Sequence, residues 1–196
     1  MDLSASTPRL RREQVAGMNI HYIMWSLDYF LDAQQRLGFK TIELWAAEPH
    51  VTLDHTGYFE ADELRRKIES RGLSVSSLCP ENVVYPWQYA ARKPLHAQRS
   101  LAYFKHGIEL AEVLGAPYMS INSGWGDWDE DREEAWKRSA EHLAILADYA
   151  GEHGVTLCME SLRPEESNLV VTLADARRML DQVASPHLTP MVDTTA

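Results

Sequence analysis

Cysteine is nearly absent, with Cys79 and Cys158 the only two in 196 residues. A disulfide-stapled secreted scaffold is thereby excluded. Both cysteines sit in apolar strand-like runs of a chain with no secretory apolar block, and they read as reduced core thiols of a cytoplasmic protein. Also missing is any run near the ~18 consecutive apolar residues that span a bilayer, so no membrane partner is expected. Basic charge is scarce too. Nineteen Lys and Arg against 29 Asp and Glu leave a net charge of −10, which repels nucleic-acid phosphates and anionic lipid surfaces. Nor is there a Gly-x-Gly-x-x-Gly or Walker loop after the first apolar run, so the fingerprint of a nucleotide-binding open sheet is lacking.

What the chain does contain is a repeat. With 45% apolar residues it can bury the core of one domain, and from Met18 onward short β-branched or aromatic runs alternate with longer stretches of helical period. The predicted strands are 18–25, 40–45, 73–79, 116–122, 155–161 and 187–193, and the helices begin near Leu27, Glu60, Leu95, Glu130 and Thr172. Gly38, Gly72, Gly115 and Gly154 each stand between a helix and the next strand, where a left-handed residue closes the helix. Strands alternating with helices require parallel pairing, in an open doubly wound sheet or a closed barrel. The barrel is favoured because Trp25, Trp45, Trp87, Trp125 and Trp128 follow the ends of successive strands, and Glu160 and Asp193 stand at the same level. A (β/α)8 barrel needs roughly 250 residues. The chain is therefore expected to hold an incomplete α/β barrel over 18–196, about six strands and five helices, after a flexible extension over 1–17 or a short helix there.

A carboxylate closing an apolar barrel strand is costly unless a cation or hydrogen-bond donors await it. Glu160 and Asp193 hold such positions on neighbouring strands and suggest a shared metal; the plain alternative is that each caps its strand or pairs with Arg163. His50 and Glu81 stand in loops over the same end, as substrate contacts or as ordinary surface residues. Glu43 lies within a strand, either buried in support of the site or pointing outward. Aromatic faces suit sugar C–H groups, so one or two of the tryptophans, Trp45 and Trp125 first, are expected at the ligand while the rest fill the barrel mouth. His106, His142 and His153 lie on helices and receive no role. The acidic run from Asp127 to Glu134 is read as favouring the N-terminus of the following helix.

The segment Met159-Glu160-Ser161-Leu162-Arg163-Pro164-Glu165-Glu166-Ser167-Asn168, with Ser185-Pro186-His187 and Met191-Val192-Asp193, resembles the sugar phosphate isomerase/epimerase family of xylose isomerase-like barrels, nearest its fructoselysine and ketose 3-epimerases. Ile42-Glu43-Leu44-Trp45, Pro49-His50, Pro80-Glu81-Asn82 and Tyr85-Pro86 extend the likeness. It implies one divalent ion, Mn²⁺ first with Mg²⁺ or Co²⁺ as alternatives, held by Glu, Asp, His and Glu from the last four strands. Glu160 and Asp193 match the first two ligands, and the chain ends before the other two. The resemblance also implies Glu160 as an acid/base group, Glu166 as a carboxylate near the sugar carbonyl, and epimerisation of a ketose or a fructoselysine-like derivative through an enediolate. A small sugar is the expected partner, within a homo-oligomer, and a chain without the last ligands is expected to be inactive alone. An inosose dehydratase, or a barrel fragment that acts only by association, is the alternative. An endonuclease IV type is disfavoured by the charge of −10 and the few strand-end histidines.

Overall fold

Each strand of the main sheet lies beside its predecessor in the chain, which is the signature of repeated strand-helix units. The computed structural model describes residues 10–83 and 86–194. In chain order these form β1 (Gly17–Met18), α1 (Leu27–Leu37), β2 (Thr41–Ala46), β3 (Leu53–Asp54), β4 (Gly57–Tyr58), α2 (Ala61–Glu69), β5 (Ser74–Pro80), α3 (Pro94–Val113), β6 (Tyr118–Ile121), α4 (Arg132–Glu152), β7 (Thr156–Glu160), α5 (Leu173–Val183) and β8 (Leu188–Met191). The sheet order is β1-β2-β5-β6-β7-β8, parallel throughout, with β3 and β4 as a separate antiparallel hairpin. This is an incomplete α/β barrel, open between β8 and β1 among the described residues.

Among the described residues α1, α4 and α5 begin at side-chain caps, whereas α2 and α3 have none. Ser26 accepts the Tyr29 N–H at 3.2 Å ahead of α1, and Thr172 and Asp175 form a reciprocal capping box ahead of α5. Asp131 caps α4 by accepting the Glu133 N–H, and Glu133 and Glu134 lie in its first turn, so three acids of the run from Asp127 to Glu134 sit at that N-terminus. On their inner sides α3 buries Phe104, Ile108 and Ala111, and α4 buries Trp136, Leu143 and Ala147. No helix among the described residues is long and apolar enough to cross a membrane.

Gly38, Gly72, Gly115 and Gly154 have φ of +78°, +67°, +68° and +68°, so the repeated turn is built as the sequence suggests. At Gly115 an added Cβ would meet nothing within 4 Å, which leaves only the left-handed backbone to penalise a side chain. Gly115→Ala is accordingly expected to lower stability by about 1–2 kcal/mol, read from the urea midpoint. An unchanged midpoint would contradict this account of the turn.

Two expectations need correction. The strand predicted over 18–25 is only the two residues of β1, followed by a 3-10 turn over Asn19–Tyr22. Its cause is the Asn19 side chain. The Asn19 carboxamide accepts the Trp45 N–H at 2.7 Å and donates to the Trp45 carbonyl at 3.0 Å, replacing the backbone of the next strand residue in the ladder. The second correction is the β3–β4 hairpin, which the sequence reading left as loop. Asp54 accepts the Thr56 N–H at 2.6 Å and so tightens the turn. Of the extension expected over 1–17, residues 1–9 lie outside the described residues, and Arg12–Gln14 form one 3-10 turn.

Candidate active site at the strand ends

Alternation along β7 sorts its side chains into two sets. Leu157 and Met159 are fully buried on the α4 side, whereas Thr156, Cys158 and Glu160 occupy the other face, which in a barrel is the interior. β2 alternates in the same way, with Ile42 and Leu44 fully buried and Glu43 on the interior face. Glu160 ends β7 and hydrogen-bonds Asp193, which follows β8. Burial, reinforced by the charges of Asp193, Glu43 and Glu166, pushes the Glu160 carboxyl up to about 7. Burial raises Glu43 as well. Both cysteines are free, and burial holds the Cys79 thiol at about 12 and that of Cys158 at about 11, so neither is a nucleophile near neutral pH.

Around this base the loops are tied by side-chain amides. Asn19 Nδ2 also donates to His50 Nδ1 at 3.0 Å, which leaves the His50 proton on Nε2, where it donates to the Trp25 carbonyl at 2.8 Å. His50 thus has both ring nitrogens engaged in holding the loop after β1. Trp45 Nε1–H donates to Glu81 at 2.9 Å, and the Val83 N–H donates to the other oxygen of that carboxylate at 3.2 Å. Glu81 is therefore aimed by two fixed donors and keeps lone pairs for a further hydroxyl.

Glu166 pairs with Arg163, and the guanidinium hydrogen bond holds its carboxyl below the usual range. It lines a groove of about 190 Å³ together with Trp125 and Trp128. The loops carrying these residues are joined by Asn168, which accepts the Gly126 N–H and donates to the Gly126 carbonyl, both at 2.8 Å. Trp25 stacks on Tyr29 with ring centroids 6.2 Å apart, and Trp87 stacks on Tyr103 at 4.2 Å. His106 and His142 bond the carbonyls of Asp54 and Tyr89, and His153 pairs with Glu112.

Glu130, in the loop before α4, accepts from Arg138 at 2.6 Å and from the Asp127 N–H at 2.9 Å. Burial works against its charge, but these donors win and hold its carboxyl below the ordinary value. A depressed carboxyl adds stability above its unfolded pKa and loses it as the pH falls through the folded one. Glu130→Gln should therefore be less stable than the parent at pH 7, by on the order of 1 kcal/mol, with the gap closing below about pH 4. Melting curves across that range test this; a gap independent of pH would rule it out.

A family model described as xylose isomerase-like TIM barrel matches residues 31–195. The chain belongs to that family. Within this xylose isomerase-like family, fructoselysine 3-epimerase of Shigella flexneri is 29% identical over 167 residues, covering 85% of this chain and 60% of the relative. D-psicose 3-epimerase of Enterocloster bolteae is 24% identical, covering 95% of this chain and 65% of the relative. The solved structure of L-ribulose 3-epimerase superposes with a TM-score of 0.71 at 24% identity, over 84% of this chain and 53% of that one. The chain thus spans about three-fifths of the length of the curated relatives it matches.

Among the described residues no three His, Cys, Asp or Glu side chains form a group able to hold a metal. Glu160 and Asp193 are nevertheless brought together, with Glu43 close enough to act on Glu160. Carboxylate oxygens suit a hard divalent ion, and the burial and mutual repulsion that raise Glu160 are what a cation would offset. The pair fits part of a ligand set. Sequence reasoning missed Asn19 and underused Asn168, whose partners lie 26 to 42 residues away; an Asn at a strand end or beside glycine-rich loops was the available signal.

Proposed function

We propose that the protein is a carbohydrate epimerase that inverts a carbon beside the carbonyl of a ketose or a ketose derivative such as a fructosyl amino acid. The observation that carries this reading is the placement of Glu160 on the inner face at the end of β7, bonded to Asp193 and crowded by Glu43. Glu160 and Asp193 would hold one divalent cation, manganese first. Once bound, the cation supplies positive charge that draws electron density from the carbonyl side of the sugar. Glu160 then removes the proton from the adjacent carbon, leaving an enediolate. Glu81, aimed by Trp45 and Val83, accepts from a sugar hydroxyl, while Trp45 and Trp125 supply aromatic faces. Glu166, steadied by Arg163, faces the carbonyl end. Inversion also needs a proton donor on the opposite face of the sugar, a role assigned to none of the described residues. The ketose 3-epimerases among the relatives support the substrate class.

Chelation tests the reading. Joined to barrel strands that supply the two further ligands and the opposite-face acid, and with Mn²⁺ present, the chain is expected to epimerise D-fructose at carbon 3, as followed by chromatography of the two ketoses. EDTA is expected to remove the activity, and added Mn²⁺ to restore it. Turnover indifferent to EDTA would refute the metal role. No turnover under any condition would leave the chain as a module that acts by association.

A further inference from the structure

Between β1 and the first turn of α1 the chain leaves four large apolar side chains in the open: Ile23 is 44% exposed, Met24 85%, Trp25 52% and Tyr29 49%. The rings are fixed in place. Trp25 stacks on Tyr29 at 6.2 Å, and Tyr22 packs edge-on against Trp25 at 6.1 Å and against the buried Phe30 at 5.1 Å. His50, whose Nε2–H donates to the Trp25 carbonyl, lines a cleft with Phe59, itself 53% exposed, and so extends the patch. No Asp, Glu, Lys or Arg occurs from Met18 to Leu27. The acids that follow, Asp28 and Asp32, are turned onto Arg71 at 3.0 and 2.6 Å. Aromatic and methionine side chains free of charge, bordered by paired charges, have the composition of an interface centre rather than of a solvated loop.

We propose that this patch is the contact face of a two-fold symmetric dimer of the chain. At about 200 Å² for a whole large side chain, the five exposed fractions come to about 550 Å², the upper end of what a monomer leaves uncovered in one place. Homodimer interfaces are about 65% apolar, so this is the apolar part of about 850 Å² per copy, the area on which a stable complex is built. Charge selects a second copy as the occupant. Each chain carries −10, so two of them repel wherever acidic surfaces meet and can close only on a neutral face. A two-fold contact sets the same patch against itself, and this one holds no charge to oppose its own image. The dimer also bears on the candidate site. Trp25 hangs from His50 and His50 from Asn19, which in turn holds Trp45, whose indole N–H aims Glu81. Covering the patch therefore steadies the loop at the Glu81 side of the strand ends, whether or not the chain is an epimerase.

Sedimentation velocity of the chain tests the dimer. At about 10 μM, above the weakest dissociation constants of interfaces this size, the chain is expected to sediment as a dimer. Met24→Glu and Phe59→Glu each place like charges across the two-fold axis and are expected to weaken the dimer by about tenfold or more. Both side chains are exposed, so circular dichroism should show the fold unchanged. Met24→Leu should keep the dimer, as should Leu173→Glu, a control at an exposed leucine on α5. A parent chain that is monomeric at this concentration would overturn the proposal, even if it bound phosphatidylcholine vesicles through the same patch. So would association that survives both patch variants and is lost instead in Val192→Glu, since that residue lies just past β8 and would move the contact to the open side of the sheet.

Discussion

In a barrel completed by the remaining ligand-bearing strands, Glu160→Gln is expected to cut metal-dependent epimerisation by about 10²- to 10⁴-fold, the range for removing a positioned acid/base group. The substitution keeps the size and a hydrogen-bonding oxygen of the side chain while removing its ability to accept a full proton. It also removes a negative charge from a site where Asp193, Glu43 and Glu166 already repel it. Metal-free Glu160→Gln protein should therefore melt no lower than the parent at pH 8, and the two readouts should move apart. An enzyme that keeps activity within tenfold would remove Glu160 from the chemistry. One that loses activity and stability together would make it a structural residue.

Trp136→Ala is expected to destabilise the fold by about 3–5 kcal/mol, the cost of emptying a large core site. Trp136 is 1% exposed, the Arg178 guanidinium lies 4.1 Å from its ring, and its Nε1–H donates to Gln182 at 2.8 Å. These contacts tie α4 to α5, the helix that delivers the chain to β8 and hence to Asp193. Trp136→Phe keeps most of the packing and loses the Gln182 bond, so it should cost about 1 kcal/mol. Urea unfolding of both variants checks the ranking. Equal losses would show that the hydrogen bond, rather than the buried ring, holds the two helices together.

The repeat was legible because its punctuation is local. Gly38, Gly72, Gly115 and Gly154 mark turns that depend on one residue's backbone freedom, and the apolar periods of α3 and α4 are read within a few turns. Glu160 and Asp193 could be picked out for a related reason, since a carboxylate closing an apolar run is conspicuous without knowing its neighbours. The loops were not legible. The two ring nitrogens of His50 are spoken for by Asn19 and Trp25, and those partners arrive from 31 and 25 residues away. The strand misread over 18–25 failed on the same ground, because its apolar pattern was sound and only the tertiary pairing of Asn19 with Trp45 shows why the ladder stops. Glu166 reads as a loop charge until Arg163 and the Trp125 groove are placed beside it.

Because each strand of the main sheet pairs with the strand that precedes it there along the chain, structure can accrue in the order of synthesis. A newly emerged strand finds its neighbour already in place, and loop closure costs stay small at every step. β1 and β8, at opposite ends of the sheet order, are the pieces left waiting. In a complete barrel their side would be joined last, so the carboxylates at the end of β7 and beyond β8 would take up their final surroundings only once most of the wall around them stood.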